Sequence, residues 1–190
     1  MGVFFTADLH FGHQHVLEVC RPQFKTTDAM DEQLLENWNA VVTDDDDVYI
    51  LGDLCYKSQK PVEYYLSRMP GRKHLIVGNH DIKWLKNLPD EERYFEQTEN
   101  MCVINMGKNL LTLCHYPMLE WNRSRYAEDQ TTSTSWLIHG HIHNSRTLDA
   151  YWFIREHLPC ALNAGVDVNH YMPVTFEQLI ENNNRFYGRE

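Results

Sequence analysis

The apolar positions of this chain fall into short runs that alternate with helically spaced patterns. Val3 to Ala7 form an apolar run cut short by Asp8, which reads as a first strand. Val16, Leu17 and Val19 suggest a short helix after it. Met30, Leu34, Trp38 and Val41 recur every three or four residues, the spacing of an amphipathic helix, with Asp28 placed to cap it. Val48 to Leu51 is the next strand. Val62, Leu66 and Met69 mark another helix, with Pro61 suited to its first turn and Gly71 past its end. His74 to Val77 again reads as a strand. Asn100 to Met106 and Leu110 to Cys114 flank Gly107-Lys108, a hairpin signature. Trp136 to Ile138 and Cys160 to Leu162 are late strands. Thr175 and Gln178 make a capping box that opens a last helix, running from Phe176 to about Asn183. The polar tail after Asn182 is expected to fray.

Strands that alternate with helices favour an α/β arrangement. No repeat, linker or low-complexity stretch divides the chain, and 190 residues is the size of one domain, so residues 1–190 read as a single domain.

Composition then narrows the function. A hydrophobic fraction of 43% is ordinary for a soluble protein, and no apolar run is long enough for a transmembrane helix. The first residues lack a basic segment before their apolar run, so no signal peptide is expected. Cys20, Cys55, Cys102, Cys114 and Cys160 are scattered without a C-x-x-C, which reads as reduced thiols in a cytoplasmic protein. The formal net charge of −10 argues against an extended nucleic-acid surface, because a phosphate backbone needs a basic footprint. A small phosphorylated substrate remains compatible, since bound cations would dominate the local field. Asp44 to Asp47 lack the spacing of an EF-hand loop and read as a solvated turn.

Candidate chemistry sits where the apolar runs end. Val3–Ala7 ends at Asp8-Leu9-His10, Val48–Gly52 at Asp53, His74–Gly78 at Asn79-His80-Asp81, Leu110–Cys114 at His115, and Trp136–Ile138 leads through His139-Gly140 to His141-Ile142-His143. Sites in open α/β sheets form beyond the carboxyl ends of strands, so five such ends should converge. In extended chain, residues two apart point the same way, which would let Asp8 and His10 face one ion, and His141 and His143 likewise. Gly52, Gly78 and Gly140 permit the sharp turn or close backbone approach such a site needs.

Together these motifs resemble the calcineurin-like metallophosphoesterase superfamily. Its pattern of Asp-x-His, Gly-Asp, Gly-Asn-His-Asp, a lone His and Gly-His-x-His is complete between residues 8 and 143, and Asp8-Leu9-His10-Phe11-Gly12-His13 is similar to the opening of its compact members. Asn163-Ala164-Gly165 resembles a later turn of small members, with Ala in place of the usual Pro. The resemblance implies a four-layer α-β-β-α sandwich with two mixed β-sheets. It implies one divalent ion on Asp8, His10, Asp53 and His143 and a second on Asp53, Asn79, His115 and His141, with Asp53 bridging. It further implies His80 as the group that binds phosphate oxygen and protonates the leaving group, oriented by Asp81. Imidazole and oxygen ligands without thiolate suit Mn first, with Fe, Zn, Ni or Co as alternatives. The reaction implied is hydrolysis of a phosphodiester of a small nucleotide type. A phosphomonoesterase would share every motif, and a non-catalytic metal-binding scaffold is a third reading that the intact ligand set disfavours.

Other residues carry weaker signals. His13 could reach a substrate phosphate, whereas His139 should face the core and His74 reads as a surface or structural residue. Arg21 could grip a phosphate, though a surface ion pair is the simpler reading. Trp121 with Arg123 and Arg125 could stack and clamp a nucleotide or form an ordinary exposed loop. Tyr56 and Cys55 could line the cleft.

Overall fold

The computed structural model describes residues 1–189. Among the described residues eight strands form two sheets. One contains β1 (Val3–Thr6), β2 (Asp47–Ile50), β3 (Arg72–Ile76) and β4 (Gln97–Glu99), parallel throughout and in that order. The other contains β5 (Met101–Met106), β6 (Asn109–Cys114), β7 (Ser135–His139) and β8 (Ala161–Asn163); its β5–β6 pair is antiparallel and the rest parallel. The first sheet is mixed only at its edge, where Phe5 and Val174 exchange backbone hydrogen bonds of 2.8 and 3.0 Å. The helices are α1 (Gln14–Val19), α2 (Thr27–Val41), α3 (Val62–Leu66), α4 (Ile82–Leu85), α5 (Asp149–His157) and α6 (Phe176–Tyr187). No helix among the described residues is long and apolar enough to cross a membrane.

Alternating side chains sort the strands into three cores. Val48, Ile50 and Leu75 meet Met30, Leu34, Leu35 and Trp38 of α2, and Val62, Tyr65 and Leu66 of α3. Phe5, Leu51 and Ile76 point the other way, onto Leu111, Leu113, Trp136 and Ile138 of the second sheet. Leu137 and Ala161 then face outward, against Tyr151 and Ile154 of α5 and Tyr187 of α6. The result is the expected α-β-β-α stack. Strands covered on both faces must be apolar at successive positions, which is why these read as continuous runs.

Local features depart from the sequence reading. The α2 cap is Thr26, whose side chain accepts from the Ala29 amide, and Asp28 instead pairs with Lys60. The capping box of α6 is present, but the helix continues to Tyr187 instead of fraying. Asn183 is buried, bonding the backbone N–H and C=O of Asn163, and with Phe186 and Tyr187 packed in the third core it holds the end of the helix. The acidic turn is structural too: Asp46 accepts from the Gly2 and Thr43 amides and the Thr43 hydroxyl, while Asp47 holds Arg72 and His74. The β5–β6 hairpin closes at Gly107, as its sequence suggests.

Candidate metal centre

Past Thr6 the chain leaves β1 yet stays bonded to the segment after β2, through Asp8 N to Gly52 O and His10 N to Asp53 O, both 2.9 Å. It does so in a left-handed conformation. Asp8 (φ 58°), His10 (φ 52°), Asp53 (φ 56°), His141 (φ 73°) and His143 (φ 49°) all have positive φ. The extended geometry expected for Asp8-x-His10 and His141-x-His143 is therefore absent; convergence comes from left-handed residues just past β1, β2 and β7. Such backbone costs about 1–3 kcal/mol per residue outside glycine, and Asp and His tolerate it better than most. Five instances around one point mark a site held in strain by the two sheets. Glycine makes the approach close: a Cβ on Gly78 would lie 2.4 Å from Asp53 Oδ1, and one on Gly52 2.7 Å from Gly78 Cα.

The polar ends meet where the two sheets abut. Asp53 Oδ2 is 3.5 Å from His10 Nε2 and 3.5 Å from His115 Nε2. Asn79 Oδ1 is 3.1 Å from His115 Nε2, and the His141 ring is 5.1 Å from that of His115. Donor atoms of Asp8, His10 and His143 lie within 4.8 Å of one another, as do those of Asp8, Asp53 and His115. Asp8 bridges the sheets by accepting from the His141 amide at 2.9 and 3.1 Å. All seven residues expected as ligands thus share one cluster. Burial pushes the Asp8 carboxyl up to about 6 and the His10 imidazole well below its usual value. The His141 imidazole is also lowered, by burial first and His115 next.

His80 stands at the rim. Its amide donates to Asp53 Oδ1 at 2.8 Å, its Nε2 is 3.9 Å from Asp53 Oδ2, and its ring lies 4.0 Å from that of Tyr56. The expected orienting contact from Asp81 is not made. The buried Asp81 carboxylate accepts from the amides of Gly78, Asp53 and Leu54 and from the Trp84 indole, so it is occupied beneath the turn. His13 does reach the cluster, with its Nδ1 3.2 Å from His10 Nδ1 and its ring 5.8 Å from that of His80. Burial lowers its imidazole to about 4.

Arg21 is neither a phosphate grip nor a surface ion pair. It is fully buried, donating to Asp167 and to the backbone carbonyls of Asp8 and Leu9. Asp167, in turn, holds His143 Nδ1 at 2.7 Å. Burial opposes the His143 imidazolium, but Asp167, Cys20 and Asp8 raise its pKa to about 11. With Nδ1 engaged, Nε2 is the nitrogen left for the cluster. No motif signalled Asp167; its partners lie 146 and 24 residues away. Asn163 donates to the His143 carbonyl and accepts from the Gly165 amide, fixing the late turn under the site. His139 faces away as expected, fully buried, with Nδ1 on the Gly140 carbonyl. Trp121 packs against both the inter-sheet core and the core under α5 and α6 and donates to Ser135, which removes the aromatic from the suggested nucleotide clamp.

The chain is similar to several known proteins. A family model for calcineurin-like phosphoesterases matches residues 1–160. An uncharacterized protein of Methanocaldococcus jannaschii is 29% identical over 181 residues, spanning 94% of this chain and 89% of its own length. The gene 66 protein of Mycobacterium phage L5 is 30% identical over 193 residues, spanning 87% and 86%. Among solved structures, a protein of unknown function from Aquifex aeolicus matches with a TM-score of 0.66 at 27% identity, covering 94% of this chain and 97% of its own.

Proposed function

The chain belongs to the calcineurin-like phosphoesterase family, and on that premise we propose that it hydrolyses a phosphodiester of a small nucleotide type with the help of two divalent ions. Asp8, His10, Asp53 and His143 would hold one ion, and Asp53, Asn79, His115 and His141 the other. The observation that carries this reading is the position of Asp53 Oδ2, midway between His10 and His115 at 3.5 Å from each.

The donor set fits such ions. His10 Nε2 is buried and makes no hydrogen bond. Two carboxylates, Asp8 and Asp53, are 0% and 2% exposed within a few ångströms of each other's partners. Buried charge of this kind is costly unless a cation compensates it. Imidazole nitrogens with carboxylate and amide oxygens suit borderline divalent metals such as Mn. When bound, a pair of ions would supply Lewis-acid activation of a water and neutralise the phosphoryl oxygens.

The chain's own residues do the rest. Asp167 and Arg21 hold the His143 side of the cluster in register. His80, at the open rim, is placed to donate a proton to the departing oxygen as the phosphorus–oxygen bond breaks and water supplies the new one. That role matters most for an alkoxide, which is a poor leaving group, and so favours diesters of nucleosides. Tyr56 packs on the His80 ring and limits its orientations. The test is direct: after chelation the protein should lose turnover of bis(4-nitrophenyl) phosphate, and Mn should restore it. Full activity of metal-free protein would reject the mechanism, and faster turnover of phosphomonoesters would replace the diester reading with a phosphatase.

A further inference from the structure

Beside His80 the surface opens into a cavity of about 340 Å³. Its lining includes Tyr56, Lys57, Lys60, His80, Lys83 and Trp84, and no acidic residue. In a chain with 27 Asp and Glu against 17 Lys and Arg, that composition runs against the overall charge. The three lysines are not equivalent. Lys60 is paired with Asp28 at 2.8 Å. Lys57 and Lys83 have no carboxylate partner among the described residues; the Lys57 ammonium instead rests 5.1 Å from the centre of the Tyr56 ring. Two cations without counter-charges, in a concave site walled by aromatic rings, concentrate positive potential where an anionic ligand can enter.

The cavity is continuous with the metal centre through one residue. His80 lines it, and the same imidazole has its Nε2 3.9 Å from Asp53 Oδ2. A group leaving from phosphorus on the His80 side would therefore pass into this cavity.

We propose that the Tyr56–Lys57–Lys83 cleft binds the leaving half of the substrate and selects a leaving group that carries a second phosphate of its own. This rests on the phosphoesterase reading above and narrows its substrate to phosphorylated dinucleotide-type diesters. Lys57 and Lys83 recognise the second phosphate as point charges, and Tyr56 with the edge of Trp84 offers aromatic surface to the sugar and base between.

The proposal is tested by titrating the Mn-loaded protein calorimetrically with adenosine 5′-monophosphate and with adenosine 3′,5′-bisphosphate. Both carry one phosphate for the metal centre, and only the bisphosphate carries another for the lysines. The bisphosphate is expected to bind at least about 10-fold more tightly, a difference of about 1.4 kcal/mol. A Lys57→Ala, Lys83→Ala double variant should lose that difference while keeping its affinity for the monophosphate. Lys57→Arg with Lys83→Arg should retain most of it, which separates charge recognition from a folding defect. Equal affinities in the unaltered protein, or a preference that survives the double alanine variant, would overturn the assignment. Metal content and melting temperature are followed in parallel and should be unchanged in both variants, since neither lysine belongs to the metal cluster. A preference for the bisphosphate in a protein that hydrolyses no ester would leave the cleft assigned and reject the phosphoesterase reading; aryl-ester turnover without the preference would do the reverse.

Discussion

At the scale of single residues, Asp53 and His80 divide the chemistry. Asp53 is the carboxylate within 3.5 Å of a histidine from each sheet, whereas Asp8 faces His141 through the backbone amide. Asp53→Asn is expected to lose more bound metal and more activity than Asp8→Asn, by elemental analysis and steady-state rates. Two tightly held ions and near-normal turnover in Asp53→Asn would refute the bridging role. His80 makes its contact with Asp53 Oδ2 at 3.9 Å, longer than the distances of His10 and His115. His80→Ala should keep both metals yet lose about 100- to 10,000-fold on a nucleoside diester, the usual worth of a general acid. The loss should be far smaller on a nitrophenyl ester, whose leaving group departs without a proton. Equal losses on both substrates would assign His80 to phosphate binding, and loss of an ion would make it a ligand.

At the scale of elements, the turn before β2 gives a pH prediction. Asp46 accepts from the Gly2 amide first, then from the Thr43 hydroxyl and amide, and these bonds hold its carboxyl down to about 2. A carboxyl lowered on folding stabilises the native state above its unfolded value of about 3.9 and loses that contribution as pH falls through its folded value. The N-terminus of β1 should therefore loosen between about pH 4 and pH 2. Asp46→Asn should flatten the dependence of urea midpoint on pH across that window, with little effect on metal content. An acid limb unchanged in the variant would show that this turn does not anchor β1. Legibility was uneven among elements. The apolar strands and α2 were visible because periodicity is a local property. Asp28 was taken for the α2 cap because it precedes the apolar run, yet Thr26, two residues earlier, carries the extended backbone a cap requires. The end of α6 was missed because Asn182 to Asn184 read as a polar tail, whereas Asn183 is held by contacts to Asn163, 20 residues away, and Phe186 and Tyr187 beyond it pack in the third core.

At the scale of the whole molecule, the cluster draws its side chains from the ends of β1, β2 and β3 in one sheet and β6 and β7 in the other. An ion binding there can be satisfied only when both sheets are stacked, so it should stabilise the folded form. At 1,000 times Kd the gain is about 4 kcal/mol, which for a chain of this size is roughly 8–16 °C in melting temperature. Differential scanning calorimetry with and without saturating Mn should show that rise, and chelator should reverse it. An unchanged melting temperature would mean that the cluster holds no ion in the native state. Between the two sheets the approach is close as well: a Cβ on Gly140, past β7, would lie 2.7 Å from the Ala7 Cβ past β1.

The sequence by itself determined the α/β class, from apolar runs that alternate with helical patterns, and the seven residues now found together, from their places where the runs stop. The layered stack entered only through the family resemblance. Only the tertiary structure decided how those residues converge. It replaced the extended alternation expected at Asp8-x-His10 and His141-x-His143 with left-handed turns. It turned Asp81 beneath the Asp53 loop and away from His80. It also brought in Asp167 and Arg21, joined across 146 residues as a buried ion pair behind His143. Such partners leave no trace in a local pattern, because their contact energy arises only after two distant segments have been packed against each other and cleared of water.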